Sequence, residues 1–214
     1  MAGIIRFVDY SLVRRYILNI FFRFIAMNSV ISPVRKHLTD IDEWRKLGEA
    51  NIFPPDSRIE LIEGEIFEMA PIGSNHAGHL KSINKFFTKL VPDNLFTSVQ
   101  DPLQLGDLSE PEPDFMLLKP DVDGYKTRHP IADDVLLLIE IADSSLNFDQ
   151  NQKLRLYAMH NIPEYWLLNL IDNCLEVYRK PKGEVFAEKT TLYVGDSVTL
   201  SILPDISIQV ADIL

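Results

Sequence analysis

At 214 residues, with 46% apolar and 24% charged residues, the chain has the size and balance of one domain with a full core and room for a short extension. Its one cysteine, Cys174, excludes an internal disulfide and a cysteine-rich zinc site, so a reducing, cytoplasmic setting is the expectation. A formal net charge of −10 argues against a long-range, non-specific grip on nucleic acid, while a cation bridging acidic side chains to a phosphate stays open.

Residues 1–26 stand apart. They carry Arg6, Arg14, Arg15 and Arg23 against Asp9, a charge of +3, which leaves −13 for the remainder. The apolar run Ile17-Leu18-Asn19-Ile20-Phe21-Phe22 is too short to span a membrane, which takes roughly 20 apolar residues, and no membrane role is expected. No small-residue cleavage site follows Phe24. The segment reads as an appended N-terminus of unknown role, or as a surface-lying amphipathic helix, ahead of a domain over residues 38–214.

In that domain Thr39 is expected to cap a short helix, with Asp40, Asp42 and Glu43 in its first turn and Trp44 and Leu47 on its apolar side. Phe53-Pro54-Pro55-Asp56 ends it. Residues 58–62 and 65–69 read as a hairpin turning at Glu63-Gly64. Ser74 is expected to cap a helix over 75–90, with His76, Leu80, Ile83, Phe87 and Leu90 on one face. Lys81, Lys85 and Lys89 line another face, which reads as solvated or as a contact to a phosphate backbone. Strands are expected at 95–105 and 114–118, then an acidic loop over 119–134. Val135-Leu136-Leu137-Leu138-Ile139-Glu140-Ile141 has the density and lack of helical period of a strand buried on both faces. A helix near 150–160, strands at 164–170 and 174–179, and short C-terminal strands complete the pattern.

Glu140 is the anomaly. A carboxylate in such a strand needs a metal, a partner charge or a proton, because burying it bare costs several kcal/mol. Asp114 opens the preceding strand, so if the two strands are antiparallel neighbours their carboxylates meet at one sheet edge. Two carboxylates there can bind a hard divalent cation such as Mg2+, with waters left for a substrate. On a wheel of about 100° per residue with Lys153 at 0°, Leu156 falls at about −60°, Tyr157 at about +40° and Leu154 at about 100°. Lys153 therefore points into the apolar arc, with His160 close and Asp149 one turn before. The plainer readings are a structural pairing of Glu140 with Lys153, an i,i+4 pairing of Lys153 with Asp149, and a core histidine at His76.

These residues resemble the PD-(D/E)XK nuclease superfamily, and within it the Uma-type restriction-endonuclease family common in cyanobacteria. The matching segments are Glu60-Leu61-Ile62-Glu63-Gly64-Glu65, Ser74-Asn75-His76, Glu112-Pro113-Asp114, Leu138-Ile139-Glu140-Ile141-Ala142-Asp143-Ser144, Lys153-Leu154-Arg155-Leu156-Tyr157-Ala158 and Ile162-Pro163-Glu164-Tyr165-Trp166-Leu167. The resemblance implies an α/β, restriction-endonuclease-like mixed sheet flanked by helices, with an αβββαβ core, an N-terminal β-hairpin and C-terminal strands. It also implies a DNA endonuclease using Mg2+ or Mn2+ and working as a homodimer. Asp114, Glu140 and the main-chain carbonyl of Ile141 would hold the metal, and Lys153 would orient or deprotonate the attacking water, with His76 at the rim. Two positions depart from the superfamily. Ala142 stands where it has lysine, so Lys153 from the following helix is the match. Residues 75–90 lack the acid of its first helix, so Glu60 or Glu63 on the hairpin would substitute, or no residue does. A catalytically inactive binding or assembly module on the same fold is the competing reading. Glycoside hydrolysis by two carboxylates lacks an aromatic platform near Asp114 and Glu140.

Overall fold

The computed structural model describes residues 34–54 and 56–214; the reading of residues 1–26 lies outside them. Residues 38–214 form one compact unit. It opens with α1 (Ile41–Glu49). Asp40, not Thr39, caps this helix, its carboxylate accepting the Glu43 amide at 2.8 Å. The Thr39 amide is occupied elsewhere, donating to the Gly64 carbonyl. Asp40→Ala should therefore lower stability by about 1 kcal/mol, measurable as a shifted urea midpoint, and Thr39→Ala should not do so by loss of a cap.

The hairpin β1 (Ile59–Ile62) and β2 (Glu65–Glu68) is antiparallel. Its two-residue turn has Glu63 at φ 51° and Gly64 at φ 77°, the paired positive dihedrals that suit the twist of a tight hairpin. Gly64 is required twice over, since a Cβ there would lie 2.5 Å from the Leu38 Cβ. Next comes α2 (Ser74–Leu90), whose N-cap is Gly73 and which has no side-chain cap, contrary to the expectation for Ser74. Leu80, Ile83 and Phe87 are its buried stripe, while Lys81, Lys85 and Lys89 are exposed.

A six-stranded mixed sheet follows in the order β3-β4-β5-β6-β7-β8, built from Phe96–Ser98, Phe115–Leu118, Val135–Ala142, Glu164–Asn169, Cys174–Lys182 and Val185–Leu192. β3 covers only part of the strand expected over 95–105. The chain leaves the sheet at Gln100, which adopts φ 53°, a left-handed conformation uncommon outside glycine. Only β5 and β6 are parallel. Parallel neighbours need a long crossover, and here it is α3 (Leu146–Phe148), a π-helical turn (Asp149–Lys153) and α4 (Leu154–Met159). β9 (Ser197–Leu200) and β10 (Leu203–Gln209) form a separate pair. No described helix is long and apolar enough to cross a membrane.

Strand alternation sorts β5 between two cores. Leu137, Ile139 and Ile141 pack with Leu80, Ile83 and Phe87 of α2. Leu138 and Ala142 pack with Leu156 and Tyr157 of α4. Glu140 shares the parity of the second set, so the apolar frame that buries the strand also aims its one acid at α4.

Candidate active site

β4 and β5 are antiparallel, with Phe115 opposite Ile139, so Asp114 and Glu140 come together where β4 begins. Their contact runs through the backbone. The Ile141 amide donates to Asp114 Oδ2 at 2.9 Å, and the Asp114 amide donates to Glu140 Oε2 at 3.3 Å. Asp114 Oδ1 lies 2.9 Å from His76 Nε2 and accepts the Gln100 side-chain amide at 3.1 Å. His76 reaches it from the first turn of α2. Gln100 reaches it because its left-handed backbone turns the chain back, its amide donating to the carbonyls of Pro113 and Asp114.

Glu140 Oε1 takes two donors, Lys153 Nζ at 3.0 Å and the Tyr157 hydroxyl at 2.6 Å. Lys153 Nζ also reaches Glu60 Oε1 at 3.1 Å. Glu60, Glu140 and Lys153 are 2%, 3% and 2% exposed, so water screens this group little and each charge must be answered by another. One atom is not answered: Glu60 Oε2 is buried and without a partner. Lys153 does not pair with Asp149. The π-helical turn inserts extra backbone between them, and the Asp149 carboxylate accepts from Ser145 Oγ instead. The fixed 100° wheel holds from Lys153 forward to Tyr157 and fails backward through that turn. His160 lies away from the group, its ring beside Gly106.

Burial raises the Glu140 carboxyl to about 8, against the pull of Lys153. Burial raises Asp149 likewise to about 6, again opposed by Lys153. For Lys153 burial acts the other way, but Glu140, Glu60, Asp149 and Asp114 outweigh it and hold the side chain as an ammonium. Burial works against ionisation of Asp114 too, yet the His76 bond and charge, with the Ile141 amide, bring its carboxyl below the usual value. One buried acid thus retains its proton to high pH while its neighbour gives it up readily, the separation of roles that acid–base sites use.

These groups line a cleft of about 180 Å3, together with Arg58, Glu112, Asp143, Ser145 and the loop leading into α2. Glu60 belongs here and Glu63 does not, since Glu63 is bound by Arg155 at the hairpin turn. Tyr157 and Gln100 join the site without being among the residues that the sequence singles out for it. Tyr157 sits one helical turn after Lys153, a spacing that signals a shared face; nothing local marks Gln100. Among the described residues no three His, Cys, Asp or Glu side chains form a ready metal cage. The donor set still suits a hard cation, being carboxylate oxygen throughout, with Glu60 Oε2 bare and Asp114 facing Glu140.

Residues 41–211 match the model of the Uma2 family, whose description is "Putative restriction endonuclease". The chain belongs to that family. A crystal structure of "a putative nuclease" from Anabaena variabilis ATCC 29413 has a similar fold, with a TM-score of 0.62 at 18% identity, covering 81% of this chain and 96% of that one. No curated protein matches. The Uma2 chain has the expected helix–strand–strand–strand–helix–strand order, with the hairpin before it and the paired strands after it.

Proposed function

We propose that this Uma2 protein is an endonuclease that hydrolyses DNA phosphodiester bonds with Mg2+ or Mn2+ in the cleft. The observation that supports the reading best is the buried Glu60–Lys153–Glu140 group beside Asp114, three elements converging on charges that a structural core has no need of. Asp114, Glu140, the Ile141 carbonyl and Glu60 would hold the ion. When bound, the ion supplies Lewis acidity toward a phosphoryl oxygen and a lowered pKa for water. Lys153 is held as an ammonium, so its part is to orient water and offset charge growing on the phosphate, not to take a proton. Tyr157 and Lys153 both bond Glu140 Oε1, which leaves Oε2 turned toward Asp114. His76 and Gln100 fix the rotamer of Asp114. An assay of plasmid nicking with Mg2+, comparing wild type with Asp114→Ala and Lys153→Ala, tests this; a folded, metal-loaded wild type as inert as both variants would count against it. Two copies, one site per strand, would accompany the activity, and sedimentation would show the pairing.

The pH dependence of ion binding follows from Glu140. A ligand must be ionised, and this one releases its proton only near about 8. Mg2+ affinity should therefore rise about tenfold per pH unit up to that point and flatten above it, with about one proton released at pH 7. Calorimetry in buffers of different ionisation enthalpy reads both quantities. An affinity unchanged between about pH 6 and 8 would remove Glu140 from the ligand set.

The competing reading, an inactive module on the same fold, predicts ion binding without turnover, and the nicking assay separates the two.

A further inference from the structure

The cleft is not uniformly acidic. Besides Glu60, Glu112, Asp114, Glu140, Asp143 and Asp149 it is lined by Arg58, Lys153, Gly73 and His76. α2 runs for 17 residues from Ser74, with Gly73 as its N-cap, no side-chain bond to its first-turn amides and no acid in that turn. Its Ala77 amide bonds the Gly73 carbonyl, so the amides of Ser74, Asn75 and His76 lie ahead of the intrahelical ladder. The helix dipole adds about half a positive charge at that end.

Arg58 is the second feature. Among the arginines of residues 38–214, Arg45 contacts Glu110, Arg128 contacts Asp121 and Asp134, Arg155 contacts Glu63 and Glu184, and Arg179 contacts Glu164. Arg58 alone among them makes no ion pair among the described residues: its guanidinium bonds the Ala70 carbonyl, and its charge acts on Glu112 without a direct bond. An arginine that bonds no carboxylate inside a cleft keeps guanidinium donors for an anion. The third feature is Glu60 Oε2, buried in the same cleft without a partner. It calls for a cation, and a cation held there would itself draw an anion toward Arg58 and the helix end.

We propose that Arg58 and the uncapped first turn of α2 form an anion seat that takes the non-bridging oxygens of the substrate phosphodiester. The proposal rests on the nuclease reading and adds where the phosphate is gripped. A guanidinium can hold two phosphate oxygens at once, and free helix amides hold the same group by hydrogen bonds and dipole.

Gly73 gives a test in which a structural role and a binding role have opposite signs. A Cβ built there meets nothing within 4 Å, and its dihedrals, φ −75° and ψ 161°, suit any residue. Gly73→Asp makes a better N-cap, so the urea midpoint should hold or rise, while its carboxylate takes the amides and repels a phosphate. The probes are a short DNA duplex in Ca2+, followed by fluorescence anisotropy, and inorganic phosphate followed by phosphorus NMR. Gly73→Asp and Arg58→Ala should each weaken duplex binding by about tenfold and reduce the slope of log K against log salt by about 0.9, the loss of one phosphate contact. Arg58→Lys should keep the slope with weaker binding. Lys182→Ala, an exposed charge outside the cleft, should change neither.

Wild-type affinity and slope in both Gly73→Asp and Arg58→Ala would overturn the seat, as would a wild type that binds neither probe. If cleavage depends on Asp114 while both variants bind DNA normally, the seat fails and the nuclease reading stands. If phosphate binds wild type and not Gly73→Asp, yet no divalent ion supports cleavage, the seat stands and the nuclease reading fails.

Discussion

Asp114→Asn is expected to lower the rate of DNA cleavage by on the order of 10^3-fold, the upper end of what one electrostatic partner of a transition state contributes, while the protein stays folded. The amide keeps an oxygen for the Ile141 amide and removes the charge that would face a bound ion. Asp114→Ala should cut activity as deeply and also cost about 1–3 kcal/mol, because the Ile141 amide would be left buried without an acceptor. The two variants thus separate charge from framework. The acid limb of stability supplies a second reading. The Asp114 carboxyl lies below its ordinary value, so its contribution is present above the unfolded pKa and is lost as pH falls through the lower folded pKa. Urea titrations at about pH 7 and pH 3 should show a steeper acid loss in wild type than in Asp114→Asn. Equal cleavage by the Asn variant would remove Asp114 from the chemistry.

Lys153→Ala should have the largest effect on stability. It leaves Glu60 and Glu140 buried with no ammonium between them, and removing one member of such a group costs about 3–5 kcal/mol. The loss should depend on pH. Glu140 already titrates near about 8, and without Lys153 its folded pKa goes higher. A raised folded pKa means stability present below the unfolded value and lost as pH rises through the folded one. The variant should therefore lose stability in parallel with wild type up to about pH 8 and fall further behind it above that point, where wild-type Glu140 has released its proton and the variant's has not. A pH-independent deficit would mean that Lys153 acts through packing of its stem. Lys153→Met combined with Glu140→Gln should recover much of the stability, since neutral groups of similar volume carry no ion desolvation, and should recover no activity.

Much of this arrangement is legible in the linear chain, for physical reasons that differ from residue to residue. Glu140 is visible because an acid in a dense apolar strand violates the pattern around it. Asp114 follows from strand order, because antiparallel neighbours bring the start of one strand to the end of the other. Lys153 follows from helix phase, because α4 carries Leu156 and Tyr157 inward at the same angle. Local rules mislead where the backbone departs from ideal geometry. The π-helical turn breaks the phase to Asp149, Gln100 ends β3 early, and Gly73 rather than Ser74 is the N-cap of α2.

Sequence alone determines the element order, the buried acid and the inward lysine, since each is set by spacing within one strand, one helix or one strand pair. Tertiary structure decides which other groups meet them. Glu60 and Lys153 are 93 residues apart, and only the docking of the hairpin against α4 turns a strand acid of ordinary appearance into a buried partner. The same holds for His76 and Gln100 on Asp114, at separations of 38 and 14 residues. Their side chains converge because α2 and the turn after β3 pack at one end of the sheet, and periodicity carries no information about contacts made between separate elements.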